Sequence, residues 1–195
     1  MKFIILILLL KINYATAQEN IIKKIKQYDS QYSDNTNDTL LFISIKEQRM
    51  YHIIDDIIIN YYIISSSEKG TGNKEGSNKT PLGWHRIRHK YGDKTPLNGK
   101  MEGRVYKGEV AEIYNDHTKS KTDDITSRIF WLEGIEAGIN QGRGIDSFKR
   151  YIYIHGTSEE GRLGQPASHG CIRMKNKDVV NLYNLIEVGT LVLIL

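Results

Sequence analysis

The chain has 195 residues, of which 39% are hydrophobic and 26% are charged, and it carries a formal net charge of +4. This length and composition fit one globular domain with an ordinary hydrophobic core and leave little room for a second domain. The lysine and arginine residues are scattered along the chain and form no basic stripe, which argues against a nucleic acid as partner.

The first residues have the pattern of a secretory signal peptide. A positive start at Met1-Lys2 precedes the apolar run Phe3–Leu10, and Ala15-Thr16-Ala17 offers the small-x-small pattern of a signal-peptidase site. The apolar run is too short for a hydrocarbon core of ~30 Å, which needs about 20 helical residues. An uncleaved anchor is the alternative interpretation. We expect residues 1–17 to be a cleaved signal peptide and the protein to be exported to the periplasm or cell envelope.

We expect residues 18–38 to form a polar tether ahead of a single domain. Glu19–Gln27 has a weak helical pattern with three isoleucines on one side. The following residues, 28–39, are polar and rich in Asp and Asn, as in a connecting segment. Apolar β-branched runs begin abruptly at Leu40, so we place the domain at residues 39–195.

The sequence predicts strands over most of the domain. Three β-branched and aromatic runs separated by polar corners indicate a meander over Leu40–Ile45, Arg49–Ile54 and Ile57–Ser65. Further strand candidates are Trp84–His89, Ile125–Leu132 and Tyr151–Ile154, whereas Val105–Tyr114 is ambiguous. Loops are predicted at 68–79, 91–100 and 134–147.

The one strong helix lies near the end of the chain. Asn176 is a candidate N-cap, and the apolar residues from Val179 to Ile186 recur at helical spacing. Gly189 is the predicted end of this helix, and Leu191–Leu195 is a candidate closing strand. Many strands, one helix and no alternation of strands with helices predict a mostly-β sandwich or barrel.

The only cysteine, Cys171, is the first candidate functional residue. A single cysteine forms no disulfide within a monomer, which leaves a buried inert thiol, an intermolecular disulfide or a reactive thiol. Its neighbours on the N-terminal side are Ser168, His169 and Gly170, which are not typical core residues. A thiol becomes a good nucleophile as the thiolate, and a nearby imidazole is the common way to form one. We therefore interpret Cys171 as a catalytic nucleophile.

His155 is the favoured general base. All six histidines precede Cys171, and His155 follows the strand candidate Tyr151–Ile154, where a fold can position a side chain accurately. The carbonyl of Gly156 is placed to orient its second ring nitrogen. The remaining distant histidines are interpreted as surface or packed imidazoles: His52, His85, His89 and His117.

Residues around the cysteine are assigned supporting roles. Backbone N–H groups at Gly170 and Cys171 lie where an oxyanion would form, and Ser168 and His169 would shape that wall by hydrogen bonds. Arg173 would bind a substrate carboxylate, although a structural ion pair is an equal alternative.

A zinc site is the rival hypothesis for the same region. His155, His169 and Cys171 supply suitable ligand types, but their spacing is not that of a compact zinc motif. The nucleophile is therefore favoured over the metal site.

These residues also carry a resemblance to a known family. His155-Gly156-Thr157, followed by the heptapeptide SHGCIRM at Ser168–Met174, resembles the L,D-transpeptidase (YkuD-type) catalytic domain, in particular the exported ErfK/YbiS-like enzymes. Thr80-Pro81-Leu82-Gly83 and the terminal helix and strand fit the same family, so the resemblance covers roughly residues 39–195. Residues 93–141 depart most from a minimal domain of this kind, and we expect them to form a substrate lid.

The resemblance implies a β-sandwich-like enzyme of peptidoglycan stem peptides. Cys171 would attack the carbonyl between the third residue, commonly diaminopimelate, and D-alanine, and His155 would transfer the proton to the departing D-alanine. The thioester would pass to an amine of another stem, giving a 3→3 cross-link, or to a lysine of an outer-membrane lipoprotein. It implies neither a metal nor an organic cofactor, and it implies acylation of Cys171 by carbapenems.

Two alternatives and an oligomeric state complete the expectations. Transfer of the thioester to water would make the protein an L,D-carboxypeptidase that trims tetrapeptide stems. A non-catalytic cell-wall-binding module with a vestigial or buried Cys171 is the alternative outside enzymes. We expect a monomer.

Overall fold

The computed structural model describes residues 18–28 and 39–195. The predicted signal peptide, residues 1–17, and the second part of the predicted tether, residues 29–38, lie outside the described residues. Within the described ranges no helix is long and apolar enough to cross a membrane.

The described residues form ten strands and two α-helices. The strands are β1 Thr39–Ser44, β2 Arg49–Ile54, β3 Ile57–Ser65, β4 Gly83–Tyr91, β5 Gly99–Glu102, β6 Val105–Val110, β7 Thr126–Gly134, β8 Tyr153–Gly156, β9 Ile172–Met174 and β10 Leu191–Ile194. Helix α1 covers 18–28, helix α2 covers Asn176–Leu185, and one 3₁₀ turn covers Glu160–Arg162. The predicted mostly-β class with one main helix after Cys171 is confirmed.

Eight of the strands close into a barrel. Their order is β4-β10-β1-β2-β3-β9-β8-β7, and β7 pairs back onto β4. The pairs β1–β10 and β8–β9 are parallel, and the other pairs are antiparallel. The β5–β6 hairpin extends the sheet beyond β7 through a short pairing. Closure pairs the strand edges that an open sheet would leave exposed.

Alternation along β8 and β9 separates a core face from a site face. Ile154, Ile172 and Met174 are fully buried in the main hydrophobic cluster, which α2 also joins through Val179 and Leu182. Because successive side chains of a strand point to opposite faces, the residues between them point away from that cluster. Of the residues that the sequence singled out, His155 on β8 and Arg173 on β9 lie on this second face, as does Cys171 directly before β9.

Helix α1 packs on the outside of the barrel. Ile25 is 4% exposed and contacts a second apolar cluster with Phe42 and Trp84, and Ile21 and Ile22 are partly buried against it. A helix this short is marginal on its own, so this packing is what stabilises it. Burying one isoleucine side chain contributes about 1.5–3 kcal/mol.

The boundaries of α2 correct the sequence prediction. Lys175, not Asn176, is the N-cap, and the helix ends at Leu185 well before Gly189. The Asn176 side chain is buried and is used elsewhere, since it donates to the Thr157 carbonyl at 2.7 Å. Gly189 has a φ of +97° in the turn that leads into β10.

Candidate active site

The parallel pairing of β8 with β9 brings the predicted nucleophile and base together. His155 pairs with Arg173 and Ile154 pairs with Ile172, so Cys171, directly before β9, lies opposite Tyr153. The Tyr153 N–H donates to Cys171 Sγ at 3.4 Å, which agrees with this register. Residues two apart share a face of a strand, so His155 and Cys171 lie on the same face of neighbouring strands.

Cys171 is partly exposed and keeps its proton in the resting protein. Besides the bond from Tyr153, its thiol donates to the Tyr151 carbonyl at 3.5 Å. Burial raises the pKa of the Cys171 thiol to about 12, and the charge of Asp123 raises it further, against the lowering by the Tyr153 N–H and by Arg173. At neutral pH Cys171 is therefore a thiol and not a thiolate.

His155 has the orientation that a general base needs. It is 1% exposed, and its Nδ1 lies 2.7 Å from the Gly156 carbonyl oxygen. A carbonyl only accepts, so Nδ1 carries the hydrogen and Nε2 is left as the basic nitrogen. Burial lowers the pKa of His155, while the charge of Asp123 and the Gly156 carbonyl act in the opposite direction. The imidazole is therefore neutral near pH 7 and able to accept a proton.

Ser168 braces the loop in front of the nucleophile. Its Oγ accepts from the Gly170 N–H at 3.2 Å and donates to the Cys171 carbonyl at 2.5 Å. Gly170 has a φ of +127°, a region that favours glycine. The Gly170 N–H is therefore occupied, contrary to its expected place in an oxyanion hole. The Cys171 N–H remains as the candidate donor from this loop.

Thr80 holds the same loop from behind and was missed as a functional residue. Its fully buried hydroxyl donates to the Gly170 carbonyl at 3.1 Å and accepts from the Ser67 N–H at 2.9 Å. Ser67 also forms a bridge with Ser168, so this hydroxyl ties two loops together. The motif Thr80-Pro81-Leu82-Gly83 was the available sequence signal, but its spacing did not indicate a contact with Gly170.

Arg173 is engaged in a buried ion-pair network. It is 1% exposed, and it contacts Glu159 at 2.7 Å and Asp123 at 2.5 Å. Although burial opposes it, hydrogen bonds from Ser120 and the charge of Arg173 lower the pKa of Glu159. Because Arg173 already binds two carboxylates, its geometry is that of a structural ion pair. It is not that of a residue which binds a substrate carboxylate.

His169 points to the acidic residues of neighbouring loops. Its half-exposed ring places Nδ1 2.9 Å from Asp123 and Nε2 3.7 Å from Glu68. Asp123 thus contacts both His169 and Arg173, and its charge acts on Cys171 and His155. No sequence pattern pointed to Asp123, because it lies in a polar segment, residues 115–124, far from the motif Ser168–Met174.

The expected lid over residues 93–141 divides into unlike parts. Residues 126–134 form barrel strand β7, which is not a lid. The part nearest the site is the segment with Ser120 and Asp123, which Glu159, His169 and Arg173 hold by hydrogen bonds and ion pairs.

The zinc hypothesis gains no support from the geometry. Across residues 18–28 and 39–195, no group of three or more His, Cys, Asp or Glu side chains is placed to hold a metal ion. His155 instead binds the Gly156 carbonyl, and His169 turns to Asp123.

Comparison with known proteins points to one family. A profile of the L,D-transpeptidase catalytic domain (YkuD) matches residues 38–194. The chain is 56% identical over 111 residues to YqjB of Bacillus subtilis (strain 168), provisionally named an L,D-transpeptidase, and the match covers 50% of this chain and 62% of YqjB. A match to YkuD of the same organism, which has the same provisional name, is 46% identical over 46 residues, 24% of this chain and 28% of that protein.

A solved structure agrees with the fold. The crystal structure of residues 123–326 of an L,D-transpeptidase from Xylanimonas cellulosilytica DSM 15894 has a TM-score of 0.52 and 19% sequence identity, and the match covers 83% of this chain and 62% of that one. At this identity the similarity concerns the fold alone. The chain thus spans under two thirds of the length of YqjB and of this crystallised chain.

Proposed function

The chain belongs to the L,D-transpeptidase catalytic-domain family, and from that premise we propose that it is an exported cysteine acyltransferase of peptidoglycan stem peptides. One observation carries the proposal: the β8–β9 register sets Cys171 and His155 on one face, with His155 Nδ1 held by Gly156. This arrangement supports the proposal that Cys171 is the nucleophile, His155 the base and Gly156 the orienting group.

The first half of the reaction forms a thioester. Cys171 Sγ attacks the carbonyl carbon between the third residue and D-alanine, and its proton passes to His155 Nε2. Because the thiol pKa is raised and the imidazole pKa is lowered, a separated thiolate–imidazolium pair is unfavourable. Proton transfer therefore accompanies carbon–sulfur bond formation. The carbon–nitrogen bond then breaks, and the proton on His155 goes to the nitrogen of the departing D-alanine.

The second half transfers the acyl group. The amine of a second stem attacks the thioester carbon, gives its proton to His155, and displaces the sulfur, which takes that proton back. The product is a 3→3 cross-link and a regenerated thiol. A lipoprotein lysine or water in place of the amine would give protein anchoring or stem trimming by the same steps. We propose that the protein works as a monomer.

Mass spectrometry of the reaction products tests this function. Purified protein is incubated with a disaccharide-tetrapeptide that contains diaminopimelate, alongside a Cys171→Ala variant. We expect cross-linked dimers with loss of D-alanine, and no product from the variant. Tripeptide alone would identify an L,D-carboxypeptidase. Absence of turnover and of an acyl adduct would instead favour the wall-binding module.

Imipenem provides an independent measure of the nucleophile. Ring opening by Cys171 would add the mass of the intact carbapenem to the protein, and Cys171→Ala would remain unmodified. An unmodified native protein would contradict the assignment of Cys171 as an accessible nucleophile.

A further inference from the structure

Arg104 occupies a strained position at the tip of the β5–β6 hairpin. The two residues that join the strands, Gly103 and Arg104, have φ values of +53° and +71°. Positive φ at both central positions is typical of a type I′ hairpin turn, in which glycine, asparagine or aspartate is usual. An arginine in this backbone region is uncommon, and such strain persists where the surroundings hold it.

Aromatic rings and one hydroxyl hold the Arg104 guanidinium in place. Its carbon lies 4.6 Å from the ring centroid of Trp131, 5.8 Å from that of Tyr151 and 5.9 Å from that of Tyr91. It also donates to the Tyr153 hydroxyl at 3.1 Å. Cation–π contacts orient the cation without neutralising it. In the described part of the chain no carboxylate forms an ion pair with Arg104.

Tyr153 links this cation to the nucleophile. Its hydroxyl accepts from Arg104, and its backbone N–H donates to Cys171 Sγ at 3.4 Å. The side chain of Tyr153 therefore spans the distance between the thiol and the guanidinium. A ligand carboxylate bound to Arg104 would thus lie one tyrosine side chain away from the thiol.

Two arginines act on the pKa of Cys171, and both are engaged with groups of the protein. Arg173 contacts Glu159 and Asp123. Arg150 donates to the backbone carbonyls of Gly72, Asn73 and Lys79. Among the described contacts Arg104 donates one hydrogen bond, to the Tyr153 hydroxyl, so its other N–H groups are left for a ligand.

Space for a ligand group adjoins the guanidinium. Arg104 lines a cavity of about 350 Å³ whose other charged lining residues are Lys90, Lys94 and Asp93. With three cationic side chains against one carboxylate, this cavity favours an anionic group.

We propose that Arg104 binds the side-chain carboxylate of the third stem residue and so selects stems in which that residue is anionic. This inference rests on the proposed function. The carboxylate of D-alanine lies directly beside the scissile bond, whereas that of diaminopimelate lies at the far end of a flexible side chain. The side chain of Tyr153 separates Arg104 from the thiol. This separation fits the diaminopimelate carboxylate, which is far from the scissile bond, better than that of D-alanine.

Binding to an inactive protein tests this recognition without chemistry. In the Cys171→Ala background, calorimetry compares a disaccharide-tetrapeptide with a free diaminopimelate carboxylate and the same peptide with that group amidated. A charge-assisted pair with arginine predicts ~10- to 100-fold tighter binding of the free acid. Arg104→Gln should abolish this preference by weakening the acid alone, and Tyr153→Phe should reduce it.

A control on the same hairpin separates recognition from structure. Lys107→Gln removes an equal charge from an exposed position of β6 and should leave the preference intact. Equal weakening of both peptides by Arg104→Gln would overturn the inference and indicate a structural role. The inference would also be overturned if the Cys171→Ala protein with Arg104 intact bound neither peptide, or bound both equally. Cross-linking of both peptides at equal rates by the active protein would retain the proposed function while refuting this inference.

Discussion

His155 is buried and Cys171 is partly buried, and this burial sets their resting protonation. Burial raises the pKa of the thiol to about 12 and lowers the pKa of the imidazole. Both groups are neutral, so Cys171, the proposed nucleophile, rests as a thiol. This protects the single cysteine, because oxidation and adventitious alkylation both act on the thiolate.

Asp123 gives a direct test of this electrostatic arrangement. Its charge raises the pKa of Cys171, so Asp123→Asn should lower that pKa and shift iodoacetamide alkylation to lower pH. The variant also removes one of the two carboxylates paired with Arg173, whose charge lowers the pKa of Cys171. We expect a several-fold faster alkylation at neutral pH, since one pKa unit changes the thiolate fraction about tenfold.

Glu68→Gln is the matched control for this experiment. Glu68 approaches His169 as Asp123 does, but it does not act on the thiol pKa. An alkylation profile of Asp123→Asn that coincides with that of Glu68→Gln would contradict the role given to Asp123.

At the scale of elements, the short strands β8 and β9 position the candidate site. They are also the strands that are hardest to predict from the sequence. Tyr151–Ile154 reads as a strand in sequence, but β8 runs from Tyr153 to Gly156 and therefore includes His155 itself. The three residues of β9 carry no strand signal of their own. Their pairing is long-range, so local propensity does not report it.

His85 lies on strand β4, and its burial leads us to expect that the stability of the protein depends on pH. The ring is fully buried between the Gly83 carbonyl and Ser147 Oγ, each at 2.9 Å. Burial lowers the pKa of His85 to about 4, against the effect of the Gly83 carbonyl. The folded protein thus binds fewer protons than the unfolded chain, whose histidine pKa is about 6.5. Stability is full above that pH and falls as the pH drops toward 4.

Urea unfolding at several pH values measures this loss. The pKa difference corresponds to about 3 kcal/mol in the free energy of unfolding between pH 6.5 and pH 4. His85→Gln, which keeps a donor and an acceptor, should flatten the pH dependence by that amount while lowering stability at pH 7. His117→Gln, at an exposed position, should leave the profile unchanged. A His85→Gln protein with the native acid slope would refute the assignment.

At the scale of the whole molecule, barrel closure fixes the site. The pairing of β7 with β4 completes the ring, and β7 also carries Trp131, the ring on which Arg104 rests. The β5–β6 hairpin is joined to β7 by a single pairing of Lys100 with Thr126. The recognition residue proposed above therefore sits on an appendage of the barrel, and the nucleophile sits on the barrel itself.

Export is the prediction that belongs to the whole chain. Expression of the full sequence in a bacterial host should place the protein outside the cytoplasm, with Gln18 as the first residue after cleavage following Ala17. Fractionation and N-terminal sequencing measure both. Ala17→Leu should block cleavage and leave a longer, membrane-associated protein, whereas Asn20→Ala should not. Native protein that retains Met1 would favour the uncleaved anchor.

The sequence by itself determined the family and the β class, and it singled out Cys171 and His155 as the proposed reactive pair. Motifs such as Ser168–Met174 are contiguous, and the meander is encoded by local alternation. Only the tertiary structure decided which neighbours complete the site. Asp123 acts on His155 and Cys171, Arg173 is engaged with carboxylates, and Thr80 braces Gly170. These contacts join residues far apart in the chain, and they exist because barrel closure brings their loops together, which no local pattern encodes.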